Sequence, residues 1–405
     1  MRLALRRLAL LVLVLLSAQS TRSAYAGDAD PAKLGKIRAA MQAFVDDQDL
    51  AGAVTVVGRK NGVVSLEAVG SLNLEKKQPM VKDSIFRIAS MTKPITAIGI
   101  MILADEGKLS VEDPVEKYLP EFKGQMLISA RSPDAVTLKK PARPITLRDL
   151  LTHTSGLTGA LPPAVSDLYV KRNRTLAEAT LVYSQRPLEF EPGSKWSYCN
   201  PGIDTLGRVI EVVSGHSYED FLRKRVFEPL GMNDTTFYPT PAQLERCAIT
   251  YLKKDGQLTP SPNTLIDLPK DPKFPIPAGG LYSTGPDLAK LYQMMLNQGT
   301  LGKTRILSPE SVAAMTKVQT GELTTGFTAG MGFGFGWAVV RQPQGITEML
   351  SAGTYGHGGA YGTQGWLDPN KDLFLILLIQ RTGLPNSDAS KMRQQFQELA
   401  VAGVK

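Results

Sequence analysis

Cysteine and histidine are scarce in this chain, with two of the first and three of the second among 405 residues. Two cysteines cannot build the disulfide framework on which small exported domains rely, and Cys199 and Cys247 lack the spacing of a metal site. His153, His216 and His357 are scattered, so no bound metal is expected. Aromatic residues make up 7% of the chain, and its lysines and arginines are not interleaved with them, which argues against a nucleic-acid surface. Repeats and low-complexity segments are absent. An unbroken apolar run, Leu8–Leu16, has nine residues, far short of the roughly 20 that a membrane-spanning helix needs.

That run belongs to a leader. Arg2, Arg6 and Arg7 precede it and Ala24-Tyr25-Ala26 follows as a small-x-small cleavage site, so residues 1–26 read as a secretory signal peptide. The mature protein is then expected to be secreted or periplasmic, with no membrane span after cleavage. No cysteine follows the run, which argues against a lipid anchor. The leader carries four arginines and no acid, so the formal charge of +8 falls to +4 when it is removed. The 379 residues from 27 to 405 suffice for one large domain or for two lobes sharing a core. Export permits a bridge between Cys199 and Cys247, but the sequence leaves open whether they pair.

Leu34, Ile37, Met41, Phe44 and Val45 recur at helical spacing and predict an amphipathic helix over 33–48. Ala53–Arg59 and Val63–Val69 are β-branched runs around Lys60-Asn61-Gly62, the signal of a hairpin. Near the other end, Gly334–Val340, Thr363–Asp368 and Leu373–Gln380 read as strands, and Met392, Phe396 and Leu399 mark a final helix. Helical patterns prevail between, over Ile145–Leu151, Ile203–Val213, Tyr218–Arg225 and Pro286–Leu296. Six prolines from Pro260 to Pro277 predict a long surface loop. The fold class is therefore α+β: one antiparallel sheet formed by both chain ends, flanked by helices, with an inserted, mainly helical lobe. The expected boundaries are a sheet lobe of 27–89 plus about 321–405, and a helical lobe of about 90–320.

One Ser-x-x-Lys occurs, Ser90-Met91-Thr92-Lys93, where Phe86–Ala89 gives way to the helical run Ile95, Ile98, Ile102. This puts Ser90 at a helix N-terminus with Lys93 one turn along on the same face. A serine hydroxyl needs something to take its proton, and a partly desolvated lysine can do so. The helix start also offers N–H groups to a developing oxyanion. An isolated Ser-x-x-Lys is usually no more than a cap beside a solvated lysine. Two further unique patterns follow it: Tyr198-Cys199-Asn200, after the turn Glu191-Pro192-Gly193, and His357-Gly358-Gly359-Ala360, before a strand.

In this order the three patterns resemble the serine β-lactamase and penicillin-binding superfamily, closest to class C β-lactamases, related D,D-peptidases and family VIII carboxylesterases. Ile145-Thr146-Leu147-Arg148-Asp149-Leu150-Leu151-Thr152-His153-Thr154-Ser155-Gly156 and Gly279-Gly280-Leu281-Tyr282-Ser283-Thr284 look like family segments too. The resemblance implies a β-lactamase/transpeptidase-like fold and an acyl-enzyme on Ser90, with Lys93 as its partner. Tyr198 is then the acid–base group, its phenolate form favoured by charged Lys93. It also implies that Asn200 orients Lys93 and the substrate, and that the N–H groups of Ser90 and Ala360, behind His357, Gly358 and Gly359, form the oxyanion hole. No cofactor is implied.

The family's usual third motif is Lys-Thr-Gly, and His357 stands where its lysine would be. An imidazole with a pKa of about 6.5 is mostly neutral at pH 7, which favours uncharged esters and predicts a gain of charge towards pH 6. The expected activity is carboxylesterase on short acyl esters. The alternatives are a D-Ala-D-Ala carboxypeptidase, a weak β-lactamase, or a penicillin-binding sensor that acylates without turnover. The partner is a small ester, amide or lactam, and the oligomeric state is open. An α/β-hydrolase is excluded, because no Gly-x-Ser-x-Gly occurs and the His-Gly-Gly segment closes the site instead of preceding the nucleophile. His153 is expected to satisfy local backbone groups, and His216 to lie in a surface turn.

Overall fold

The computed structural model describes residues 29–261 and 268–404; the leader expected at 1–26 lies outside them. The chain enters through helix α1 (Pro31–Asp46), which starts where Asp30 accepts the amides of Ala32 and Lys33 and Pro31 supplies the first helical position. Leu34, Ile37 and Met41 form its buried face. Strands β1 (Gly52–Arg59) and β2 (Gly62–Asn73) follow as the expected hairpin, and β3 (Gln78–Pro79) pairs on the outside of β2. Arg59 pairs with Gly62, so the two-residue loop is Lys60-Asn61, and Gly62 itself takes φ of 138° at the start of β2.

The remaining strands of this sheet come from the far end of the chain: β4 (Met331–Phe333), β5 (Ala338–Val340), β6 (Tyr355–Gly358), β7 (Gln364–Asp368) and β8 (Leu373–Leu378). The order across the sheet is β4-β5-β6-β7-β8-β1-β2-β3, antiparallel throughout, and β8 against β1 is the seam where the two chain ends meet. Both seam strands are buried on two faces, so they are apolar at nearly every position. Alternate residues divide between two cores. Val57, Leu375 and Leu377 join α1 and the last helix, α5 (Lys391–Gly403), on one side. Val54, Val56, Phe374 and Ile376 join α2 (Thr92–Asp105), α3 (Asn200–Ser214) and α4 (Gly285–Leu296) on the other.

Two expectations need correction. Gly334–Val340 is not one strand: β4 ends at Phe333, and Gly334–Trp337 turn to make backbone bonds outside the ladder. The Phe335 amide donates to Met315 (2.9 Å) and the Gly336 amide to Leu151 (2.9 Å). Nor is Pro260–Pro277 surface loop throughout. Residues 262–267 lie outside the described residues, but Phe274, Ile276 and Pro277 are buried and lead the chain into the core. A local apolar content too small to signal an element was enough to bury this stretch. No helix among the described residues is long and apolar enough to cross a membrane.

Gly336 sits at φ of 75° and faces the start of α2, where a Cβ would come within 2.6 Å of Ala97 Cβ and 3.2 Å of Lys93 O. Gly336→Ala therefore combines a left-handed backbone with overpacking, each of which costs about 1–3 kcal/mol. Urea unfolding should show a loss of about 2 kcal/mol or more, and an unchanged midpoint would mean that the turn is looser than its contacts indicate.

Candidate active site

Ser90 occupies a single 3-10 turn, Ala89–Met91, that leads directly into α2. Ala89 before it has φ of 47°, a left-handed conformation that a non-glycine residue adopts only under constraint. The constraint is visible in the hydrogen bonds. Thr92 Oγ1 donates to Ala89 O (2.7 Å), Thr363 Oγ1 donates to Ile88 O (3.1 Å), and the Ile88 amide donates to Leu281 O (3.0 Å). Three separate parts of the chain thus hold the turn that presents the serine.

Lys93 lies one turn on and is fully buried. Its Nζ is 3.0 Å from Ser90 Oγ and donates to the carbonyl of Ala278 (2.7 Å). It also stands over the Tyr198 ring, 4.6 Å from the centroid. Tyr198 Oη donates to Ser90 Oγ (2.8 Å), so two proton-handling groups converge on one hydroxyl. Burial brings Lys93 down to about 7, an effect only partly offset by the Asp204 carboxylate. Burial likewise lifts the Tyr198 phenol well above its ordinary range. The expectation that charged Lys93 favours a Tyr198 phenolate is therefore reversed: the lysine is the group poised to lose its proton, and the tyrosine is a neutral phenol.

Asn200, the first residue of α3, does not hold Lys93; the Ala278 carbonyl does that instead. Asn200 lines a cavity of about 60 Å3 with Ser90, Ile276, Ala278 and Ala360, and its Oδ1 is buried without a hydrogen-bond partner. Asp204, one turn further along α3, was not legible as a functional residue. It is fully buried, and its carboxylate accepts the Ala278 amide (3.0 Å) and the hydroxyl of Tyr169 (2.9 Å). Burial raises its pKa to about 7. Asp204 thus holds the N–H of the same residue whose carbonyl receives Lys93, and its negative charge favours the ammonium. Lys93 and Asp204 titrate as a pair. Only the four-residue spacing from Asn200 hinted at it, by placing both on one helical face.

His153 brackets the tyrosine. Its Nδ1 accepts the amide of Cys199 (3.2 Å), its carbonyl accepts the amide of Ser197 (2.9 Å), and its ring lies 4.6 Å from that of Tyr198. The local role expected of it is also one of positioning. His357 is buried at the end of β6, and its Nδ1 lies 2.6 Å from Gly358 O. That contact fixes the proton on Nδ1 and leaves Nε2 a buried acceptor without a partner. Burial, with the Lys93 charge nearby, lowers His357 to about 4. Burial thus works against the gain of charge expected near pH 6. Nε2 offers a lone pair and not an N–H, so it gives a carboxylate nothing to bind.

Gly358 and Gly359 leave no room for side chains. A Cβ would lie 1.9 Å from Asp388 Oδ1 at the first and 2.1 Å from Thr363 Oγ1 at the second. This close packing brings Ala360 into the cavity beside Ser90. His216 is exposed, both cysteines are buried and free, and no cluster of three metal-ligating side chains occurs among the described residues.

A family model described as beta-lactamase matches residues 37–400. Protein Rv1367c of Mycobacterium tuberculosis is 35% identical over 364 residues, covering 85% of this chain and 89% of that protein. Esterase EstB of Burkholderia gladioli is 31% identical over 365 residues, covering 82% and 86%. Among solved structures, EstCE1, a hydrolase with promiscuous acyltransferase activity, superposes with a TM-score of 0.75 at 27% identity over 92% of this chain and 99% of that one.

The Lys93–Asp204 pair predicts a pH profile. With neutral Lys93 as the working form, kcat/KM falls as pH drops through about 7. Asp204→Asn keeps an acceptor for the Ala278 amide but removes the charge that favours the ammonium, so the acid limb should move to lower pH. A limb that stays in place in this variant would confine Asp204 to a structural role.

Proposed function

The chain belongs to the β-lactamase family and is a serine hydrolase, and from that premise we propose that it is a carboxylesterase acting on short, uncharged esters through an acyl-enzyme at Ser90. The observation that carries this reading is the convergence of Lys93 Nζ and Tyr198 Oη on Ser90 Oγ, at 3.0 and 2.8 Å. Neutral Lys93 takes the serine proton while Oγ bonds to the ester carbonyl carbon. The carbonyl oxygen becomes negative between the N–H groups of Ser90 and Ala360. Loss of one such donor typically costs about 10²–10³-fold. Tyr198 then protonates the departing alkoxide and recovers the serine's proton from Lys93, so the C–O bond breaks without stranding a charge. Water retraces the route and frees Ser90. A positioned acid–base group contributes about 10²–10⁴-fold.

The preference for esters over lactams or peptides rests on His357. Those substrates carry a carboxylate, and a neutral imidazole presenting Nε2 as an acceptor does not attract it. Asn200 Oδ1, buried and unpartnered at the cavity, is left to receive a donor from the substrate. Export through the residue 1–26 leader belongs to the same proposal, and so does the role given to each site residue.

The decisive experiment is a panel of ethyl and nitrophenyl esters, a chromogenic cephalosporin and a D-Ala-D-Ala peptide, run on the purified protein and on Ser90→Ala. Turnover of esters first and foremost is expected, and Ser90→Ala should lose both turnover and fluorophosphonate labelling while melting normally. Labelling that survives in the alanine variant would place the nucleophile elsewhere. A stoichiometric burst without a steady state would instead identify a sensor.

A second test addresses selectivity. A lysine at position 357 supplies a charge-assisted hydrogen bond worth about 1.5–3 kcal/mol, or roughly 10- to 100-fold. His357→Lys should raise the cephalosporin-to-butyrate ratio of kcat/KM by that order. In the native enzyme the ratio should stay flat from pH 6 to 8, because His357 remains neutral throughout. A native ratio that climbs towards pH 6 would show that the imidazole does gain charge.

A further inference from the structure

Phe327 is the only exposed aromatic side chain among the described residues, with half of its surface open to solvent. It lies in the loop before β4, yet it is held from two sides. Asn386 Nδ2 donates to its carbonyl (3.0 Å), and its ring stands edge-on to Tyr198 with centroids 5.0 Å apart and to Trp196 at 6.0 Å. A second, small cavity of about 20 Å3 lies beside it, lined by Met331, Phe333, Trp366 and His357. Its charged neighbours are Asp388 and Arg393. Arg393 is buried across the face of Trp366 (4.2 Å) and donates to Asp388 O (2.6 Å), while Asp388 Oδ1 accepts the side-chain amide of Gln364 (3.1 Å).

We propose that Phe327 selects the alcohol half of the ester, taking an uncharged ring-bearing alcohol against its open face. This rests on the reading of Ser90, Lys93 and Tyr198 given above. The two cavities share no lining residue. The first contains Ser90 and Ala360, whose N–H groups fix the carbonyl oxygen, and so receives the acyl chain. The alkoxide expelled from the carbonyl carbon takes its proton from the Tyr198 hydroxyl, and a proton donor must lie within hydrogen-bond reach of the oxygen it serves. The alcohol therefore leaves past the tyrosine ring, on the side where Phe327 and His357 flank it at 5.0 and 6.2 Å. A ring on that alcohol meets an aromatic edge already fixed in place. Arg393 there is fully buried behind Trp366 and out of reach of solvent.

Butyrate esters of benzyl alcohol and ethanol test this, because the two alkoxides leave with similar ease but only one carries a ring. An aromatic pair is worth about 0.5–1.5 kcal/mol beyond its buried area, so Phe327→Ala should lower the benzyl-to-ethyl ratio of kcat/KM by about 2- to 10-fold, with Phe327→Leu falling between. The ratio of ethyl hexanoate to ethyl acetate, which reads the acyl side, should be the same in both proteins. An unmoved benzyl-to-ethyl ratio overturns the proposal, and so does a change confined to the acyl series, which would put Phe327 on the other side. If the native protein hydrolyses neither ester, the esterase reading itself falls and takes this inference with it.

Discussion

An amine buried as completely as Lys93 must either be given acceptors or surrender its proton, and much of the structure around it follows from that choice. The Ala278 carbonyl and Ser90 Oγ are its two hydrogen-bonding contacts, and neither is charged. The compensating charge is that of Asp204, which is linked to the lysine through Ala278: the residue gives its N–H to the carboxylate and its carbonyl to the ammonium. A full ion pair in that place would keep the lysine charged and useless as a base. No carboxylate at all would leave it neutral and unable to hold the proton it collects. A carboxylate set one peptide away leaves the ammonium and the amine in balance near neutral pH.

The segment around Ala278 therefore has to be inside the protein, although its prolines read as surface loop. Phe274 and Ile276 anchor it, and the Arg172 carbonyl accepts the amides of Lys273 and Phe274. At the other end, Thr92 Oγ1 accepts the Leu281 amide (3.2 Å), tying the segment to the turn that bears Ser90. The lobe carrying α3 and the sheet carrying β6 thus meet across one loop. A shift in it would disturb Lys93, Asp204 and the serine turn together.

The sequence disclosed those features that short patterns encode. The β-branched runs around Lys60-Asn61-Gly62 and the apolar run Leu373–Gln380 announced the sheet, and helical spacing announced α1, α3, α4 and α5. Ser90, Lys93 and Tyr198 could be singled out because their spacing is fixed within one turn of helix or one short loop. Asp204, Ala278 and the Gly334–Trp337 turn could not, because each acts on a residue far away in the chain. A lone aspartate in a helix and a carbonyl in a loop have no pattern of their own. Protonation was hidden for the same reason. The phenolate expected at Tyr198 and the charge expected at His357 assumed water around groups that the fold buries, and burial is the largest influence on both.

The neutrality of His357 also bears on the chemistry at Ser90, and not on selectivity alone. Its pKa is depressed in part by the Lys93 charge, and such coupling is reciprocal. A permanent cation at position 357 would favour a substrate carboxylate but would also push the proton off Lys93, adding to a burial that already brings the lysine to about 7. A neutral imidazole, its one proton committed to Gly358 O, leaves the setting of Lys93 to burial and Asp204. In the proposed mechanism, the residue that stands where a lysine would bind anions thereby keeps the general base independent of substrate charge. An enzyme built this way can vary its binding cavities, as Phe327 and Ile276 illustrate on their two sides, without retuning the groups that move the proton.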